Sequence, residues 1–378
     1  MIDVTLLNQT DDLLALEAEW DALVAAGDED NPFRSWLWAS TWWKHYGAGR
    51  ELALLTARDG DQLLGLAPLF VDIERGWGSP RVLRFLGSSD GTCSEYLGLL
   101  VRQSCEQAVV PALLDFLYDQ WRDGWDRLQL TDIPVESPQV EVLRHSIRQR
   151  RLVAAERPGT SNYIADLPAS WDDYLATLSS RRRTKLRRIL RDFEEQADIE
   201  MLCVEQEADL ATAWSDVKRA HALHWQALGM EGCFASPQFD AFHTEMVERL
   251  FQQDKLLLGV IRHQGQPVAG CYAPTHAGVA YEYQRGHDPA WIKQQPGHAL
   301  QIFLFREGIG GRLRRWDFLR GNYSHKQIWS NGQRSTVEFE LASSRFVPQA
   351  MFRMSQGQRM MRRQLGAWRR RLQSAAAP

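Results

Sequence analysis

The stretch from Val279 to Trp329, VAYEYQRGHDPAWIKQQPGHALQIFLFREGIGGRLRRWDFLRGNYSHKQIW, constrains the fold of this chain more than any other. Its pattern predicts strand, loop, helix, strand and polar loop, in that order. Val279–Arg285 is rich in aromatic and β-branched residues, as a strand should be. Pro289, Pro296 and Gly297 punctuate the loop, and Pro296 sits where a helix tolerates proline, in its first turn. Ala299–Glu307 is apolar and helix-forming, Gly308–Gly311 ends the helix, and Arg315–Leu319 resumes as a strand. The loop enters the helix as Gln294-Gln295-Pro296-Gly297-His298-Ala299, a Q-x-x-G-x-A pattern. Unpaired N–H groups and the positive dipole end at such a point can hold a diphosphate, and glycine lets it approach closely. Six residues with three fixed are also what an ordinary Pro-Gly turn supplies, so the flanking strands carry much of the weight.

A chain of 378 residues is too long for one ordinary core, so two domains are expected. The net charge of −4 hides an asymmetry: eight arginines and no acid follow Leu341, which leaves the first 340 residues at −12. An acidic body with a basic tail argues against a general nucleic-acid binder. Cys93, Cys105, Cys203, Cys233 and Cys271 are odd in number and form no C-x-x-C, which argues against a disulfide framework or a zinc site. His221 and His224 share a helix face, but no third ligand has partnering spacing, and no metal is expected. The start, MIDVTLLNQTDDLL, has neither a basic n-region nor an apolar h-region, and no run is long enough to span a bilayer. A cytoplasmic protein is expected.

Taken in order, residues 12–26 predict an amphipathic helix with Leu13, Leu16, Trp20 and Leu23 on one face. In NPFRSWLWASTWWKHYG the aromatics are too dense for one helical stripe, so some face a groove or a partner domain. Leu52–Ala57 and Leu63–Val71 predict a hairpin, Val82–Leu86 and Tyr96–Val101 further strands, and Ala108–Trp121 a helix. Arg127–Thr131 completes the first half as a strand, and Ile133–Pro138 reads as a linker. After it come a helix at Val140–Gln149, a strand at Ser161–Asp166, and a helix that starts at Ser170. Ser179–Gln196 follows, with seven Arg or Lys between Arg181 and Arg191, as either a solvated helix or an anion site. Helices at Ala208–Leu228 and Gln238–Phe251 and a hairpin at Lys255–Thr275 lead into the opening stretch. The two halves thus share one order: hairpin, strand, helix, strand.

The Q-x-x-G-x-A loop, the parallel halves and several strings together resemble the CelD-like, FemAB-related branch of the GNAT acyltransferases. Those strings are NPFRSWLWASTWWKHYG, SSRRRTKLRRILRDFEEQ, GQPVAGCY, YEYQRGHDPAW and RRWDFLRGNYSHKQIW. The resemblance implies an α/β fold of two tandem GNAT-like domains, mixed sheets flanked by helices. Residues 1–138 would form a domain without a cofactor site, 139–345 the domain with the active site, and 346–378 a basic amphipathic tail. It also implies acyl or aminoacyl transfer, in some members linked to polysaccharide production. One departure is plain: where the family has DF-x-x-G-(Asp/Glu)-x-x-Tyr-Lys, this chain has Asn322 for the acid and His325 for the tyrosine.

The expected activity is transfer from acyl-CoA, acetyl-CoA first among them, to an amine of a sugar or cell-envelope precursor. Gln294, Gly297, His298 and Ala299 are the donor-binding candidates. Strand alternation puts Tyr281, Tyr283 and Arg285 on one face and Glu282 and Gln284 on the other, and only one set can face the reaction. Glu282 is the candidate base, with Tyr283 beside it. Asp317, Arg320, Tyr323, His325 and Lys326 lie beyond a strand's end, where open α/β sheets place ligands. Lys326 would stabilise developing negative charge, Tyr323 or His325 would act as acid, and Arg285, Asp317 and Arg320 would bind substrate. Two alternatives stay open: an aminoacyl-tRNA donor gripped by Arg181–Arg191, and a non-catalytic adaptor of a polysaccharide-synthesis complex. The tail offers peripheral contact with the inner membrane face.

Overall fold

Two hairpins found the two halves of the sheet. In the computed structural model, which describes residues 2–75, 78–88, 94–321 and 324–375, the side chains of 324, 325, 360 and 362–375 are left aside. The strands are β1 (Asp3–Leu7), β2 (Glu51–Asp59), β3 (Gln62–Ile73), β4 (Arg81–Phe85), β5 (Leu100–Val101) and β6 (Arg127–Pro134). In the second half they are β7 (Ala154–Asp166), β8 (Ile199–Cys203), β9 (Leu256–His263), β10 (Gln266–His276), β11 (Val279–Tyr281), β12 (Gln284–His287), β13 (Arg315–Asp317) and β14 (Gly332–Ala342). They form one sheet in the order β1-β2-β3-β4-β6-β14-β7-β13-β11-β10-β9-β8, with β5 on β3 and β12 on β10.

The same unit occurs twice. The β2–β3 hairpin is followed by β4, a helix and then β6 parallel to β4; the β9–β10 hairpin is followed by β11, a helix and then β13 parallel to β11. The halves then exchange strands. β7 pairs with β13, β14 returns to pair with β6, and β7 and β14 pair with each other along most of their length. The stretch read as a linker is therefore structured. Ile133 and Pro134 lie in β6 opposite Val337 and Thr336, and Pro138 starts the helix Pro138–Gln149.

The tryptophan-rich string forms the helix Trp36–Tyr46, started by the Ser35 hydroxyl, which accepts the Trp38 amide at 3.2 Å. It packs against the helix Pro237–Phe251 of the second half. Trp38 lies 5.3 Å from Phe242 and 5.6 Å from Tyr283, Phe33 lies 5.8 Å from Tyr281, and the Arg249 guanidinium sits over Trp36. The aromatics too many for one stripe thus serve as core between the halves. Fully buried Trp38 also donates from its indole to the Ser94 hydroxyl at 2.9 Å. Trp38→Phe is expected to cost about 1–2 kcal/mol, from the lost bond and the space left behind; urea unfolding measures it.

Tyr96–Val101 is not a strand apart from its last two residues. Tyr96 is left-handed (φ 53°), and the Gln139 side chain takes a strand's place beside Leu99, accepting its amide at 2.9 Å and donating to its carbonyl. The strand expected at Arg315–Leu319 stops at Asp317, because Leu319 is also left-handed (φ 55°). The expected polar loop contains a short helix, Ser324–Trp329.

Candidate active site

The site begins where two parallel strands part. β10 pairs first with β11 and then with β12, while β13 follows β11 only as far as Tyr281. At the break the Glu282 amide donates to the Asp317 carbonyl (2.8 Å) and the Tyr283 amide to the Tyr272 carbonyl (3.0 Å). This break corrects the alternation expected for Val279–Arg285. Tyr281 and Tyr283 turn to Phe33 and Trp38 in the core. Arg285 leaves their face and joins Glu282, donating to it at 3.1 Å. The other Glu282 oxygen accepts the Trp316 indole N–H at 3.0 Å, so both oxygens of this buried carboxylate are engaged.

Arg285 ties the broken strand to the helix Pro296–Gly310. It donates to the Gln301 side chain at 2.8 Å and to the Gly297 carbonyl at 2.7 Å. The start of this helix differs from the helix starts at Ser35, Ser170, Ser179 and Ser236, each capped by its serine hydroxyl. Here left-handed Gln295 precedes the helix with no side-chain cap, Pro296 lacks an N–H, and the first turn holds no acid. The amides of His298 and Ala299 both reach back to the Gln295 carbonyl, at 3.0 and 3.1 Å. Ala299 is fully buried, and the Gln294 side chain lies outside on an exposed turn. A Cβ at Gly297 would meet only side-chain ends, Arg285 at 3.3 Å and His287 at 3.9 Å.

Positive charge gathers at this tip. The basic helix Ser180–Glu194 brings Arg182 over the Trp329 ring, where it also donates to the Ile328 carbonyl, and Trp329 lies 5.6 Å from the His298 ring. Burial, together with Arg285, Lys185 and Arg182, lowers the His298 pKa to about 4. Burial with His224 and Arg285 does the same to His287, which packs 4.7 Å from the His224 ring. A helix dipole alone is worth roughly 0.3–1 kcal/mol to an exposed anion. Arg182 and Lys185 add positive charge at the same tip, beside an Arg285 that Glu282 already pairs, and the histidines stay neutral beside them.

A second group forms at the seam between the halves. Glu95, buried, accepts the Arg320 amide at 2.8 Å and its Nε at 3.1 Å, and its other oxygen accepts from Asn162. Arg320 also donates to Asp132 at 3.1 Å. The neighbouring Tyr96 hydroxyl donates to Asp317 at 2.7 Å, and Asp317 in turn accepts the Leu319 amide. Burial pushes the Glu95 carboxyl up to about 7 against the pull of Arg320, with Asp317 and Asp132 adding to the rise. Burial likewise takes Asp317 to about 6, against the bonds from Tyr96 and Leu319. The Arg34 side chain holds this segment in place by donating to the carbonyls of Tyr96 (2.9 Å) and Leu97 (3.1 Å).

Lys326 is buried and donates to the carbonyls of Phe318 (2.6 Å), Leu319 (3.2 Å) and Arg320. Burial lowers its pKa, while Glu282, Glu95 and Asp317 oppose that shift. Lys326 thus fixes the chain reversal after β13 and sits among all three carboxylates. Tyr323 and Asn322 lie outside the described residues, as does the side chain of His325. Four non-glycine residues with positive φ, Tyr96, Asp132, Gln295 and Leu319, border these groups, as strained backbone often does at functional sites.

The structure thus brings Glu282, Arg285, Gly297 and His298 together at the helix tip, and Asp317, Arg320 and Lys326 at the adjoining seam. Tyr283 belongs to the core. Glu95, Asp132 and Asn162 complete the seam without any signal in the sequence, since Glu95 is 225 positions from Arg320. Arg182 and Lys185 belong to the basic run that reads as either a solvated helix or an anion site. A cavity of about 440 Å³, lined in part by Cys203, Glu205, Glu307 and Gly310, lies at the other end of the helix Pro296–Gly310. A helix of that length puts it roughly 20 Å from Gly297, away from the site.

Residues 180–327 match the family described as "Acetyltransferase (GNAT) domain". Among solved structures the chain is similar to a tandem GNAT protein from the clavulanic acid biosynthesis pathway, with 12% identity, 92% of this chain and 100% of that one covered, and a TM-score of 0.50. It is also similar to the C-terminal domain of a putative lysylphosphatidylglycerol synthetase from Agrobacterium fabrum, with 9% identity, 92% and 96% covered, and a TM-score of 0.51. FemX follows with 13% identity, 89% and 98% covered, and a TM-score of 0.49. No curated protein sequence matches. The expected α/β fold of two tandem GNAT-like units flanked by helices stands, with the mixed strands of both units joined in one sheet; the residues that match the GNAT acetyltransferase domain lie in the second.

Proposed function

We propose that this chain is an acyl-CoA-dependent N-acyltransferase of the CelD-like, FemAB-related kind, with residues 139–345 as its catalytic part. Its acceptor is an amine on a sugar or cell-envelope precursor. The observation that carries this reading is the uncapped, acid-free helix start at Gly297, ringed by Arg285, Arg182 and Lys185. That arrangement suits the diphosphate of CoA. The thioester would then lie toward the opening between β12 and β13, where Glu282 holds Arg285 and Trp316 in place.

The acceptor amine must lose a proton before or as it attacks. Glu95, with its pKa near 7, is matched to that task, and Asp317 stands beside it. Lys326 positions the Phe318–Arg320 reversal and lends positive charge where an oxyanion would develop. Thermal melting with acetyl-CoA tests the donor. A rise in Tm that grows with the logarithm of the acetyl-CoA concentration is expected, corresponding to about 2.7 kcal/mol at a hundredfold excess over Kd. No shift with any CoA thioester would remove the CoA reading.

The exposed arginines Arg181, Arg187 and Arg188 keep aminoacyl-tRNA as a second donor class. Phosphate contacts of that kind make binding fall steeply with salt, whereas CoA binding changes far less. Titrating tRNA and acetyl-CoA at two salt concentrations separates the two.

A further inference from the structure

The last described element is one long helix, Phe346–Ala375, and its near part is fastened to the body. Arg345 donates to the Trp125 carbonyl at 2.7 Å and pairs with Asp126. Phe352 is buried, Met351 reaches Gly78, and Arg359 donates to Glu340 at 2.8 Å. Arg127 and Arg157 surround the same Glu340 carboxylate; burial would raise its pKa, but these arginines and Arg359 hold it low. The helix is thus fixed in rotation, with Phe352 and Arg359 toward the body.

Its outer face is mostly apolar, with the exposed Gln358 within it. Phe346 is 85% exposed, Val347 61%, Met354 63% and Met361 59%, and these make four of the eleven large hydrophobic residues exposed among the described residues. Val347, Met354 and Met361 recur every seven positions, half a turn from Phe352. The sequence continues the period with Trp368, flanked by Leu365 and Leu372. The only charged residues along the helix are arginines: Arg353, Arg359, Arg362, Arg363, Arg369, Arg370 and Arg371. An exposed apolar stripe on a helix whose sequence carries positive charge and no negative charge suits one occupant above others. A second copy of this helix would bring like charges together.

We propose that the outer face of Phe346–Ala375 docks on an anionic lipid surface, with Val347, Met354 and Met361 entering the headgroup boundary and the arginines meeting lipid phosphates. The anchored first turns would hold the body at a fixed orientation to that surface.

Sedimentation of the full chain with vesicles tests this, using phosphatidylcholine alone and an equal mixture of phosphatidylcholine and phosphatidylglycerol. Binding to the mixed vesicles is expected to exceed binding to neutral ones by at least about tenfold and to weaken with salt. Met354→Glu with Met361→Glu, both on the exposed face, should remove that binding and leave the melting temperature unchanged. Three results would overturn the assignment: no binding to mixed vesicles, equal binding by the double variant, or a dimer in solution that the double variant dissociates. The last would give the face to a second copy.

Discussion

Gly297→Asp is expected to reduce acetyl-CoA affinity by at least about a hundredfold while leaving the protein folded. Two like charges about 4 Å apart repel by roughly 4 kcal/mol at an effective dielectric of 20, and each 1.4 kcal/mol is tenfold in Kd. Pairing of the new carboxylate with Arg285 would absorb part of that, which is why the expectation stops at a hundredfold. The fold should survive because a Cβ at this position meets only the ends of the Arg285 and His287 side chains. Gly297→Ala serves as the control. It places a better helix former in the first turn, and its stability should stay within about 1 kcal/mol of the parent. Calorimetric titration reads the affinities and thermal melts read the fold. Equal CoA affinity in parent and Gly297→Asp would move the donor site elsewhere.

Glu95→Gln is expected to lower kcat/KM by roughly 10²- to 10⁴-fold, the usual range for loss of a general base. In the parent, the rate should rise with pH through about 7 as the carboxyl ionises, and this limb should vanish in the variant. The same group leaves a mark on stability that does not depend on activity. Its folded pKa, about 7, lies above its ordinary value of 4.5. The folded state therefore holds the proton more tightly, and the resulting stability is complete below about 4.5 and lost as pH rises through 7. Glu95→Gln, which mimics the protonated form, should gain stability relative to the parent across that window. A pH–rate profile unchanged by the substitution would leave Glu95 a purely structural partner of Arg320 and Asn162.

The elements that follow local rules were legible in the sequence. The β2–β3 and β9–β10 hairpins fall where alternating runs flank Asp-Gly and Gln-Gly, and Ser170 starts a helix as a capping residue does. Gly297 reads as a helix start because Pro296 and the apolar run after it demand one. What local pattern cannot carry is long-range pairing. β14 has a clear period of two in Val337, Phe339 and Leu341, yet nothing in it says that it lies between β6 of one half and β7 of the other. The period also fails at Glu282, where β13 departs and the backbone bonds to Asp317 and Tyr272 in place of a regular ladder. Glu95 was invisible for a related reason: it stands after a run of small polar residues with no period, its pKa is set by burial with Arg320 and Asp317 of the other half acting on it, and Asn162 of that half bonds to it.

In the proposed function the start of the helix Pro296–Gly310 receives the donor's diphosphate. A crystal structure of the full chain with CoA tests it most directly. The diphosphate is expected within hydrogen-bond distance of the Gly297 amide, close to Arg285 and Lys185, with the pantetheine arm running between β12 and β13. A CoA molecule bound with its diphosphate elsewhere, and with the Gly297 tip covered by the protein's own side chains, would contradict it.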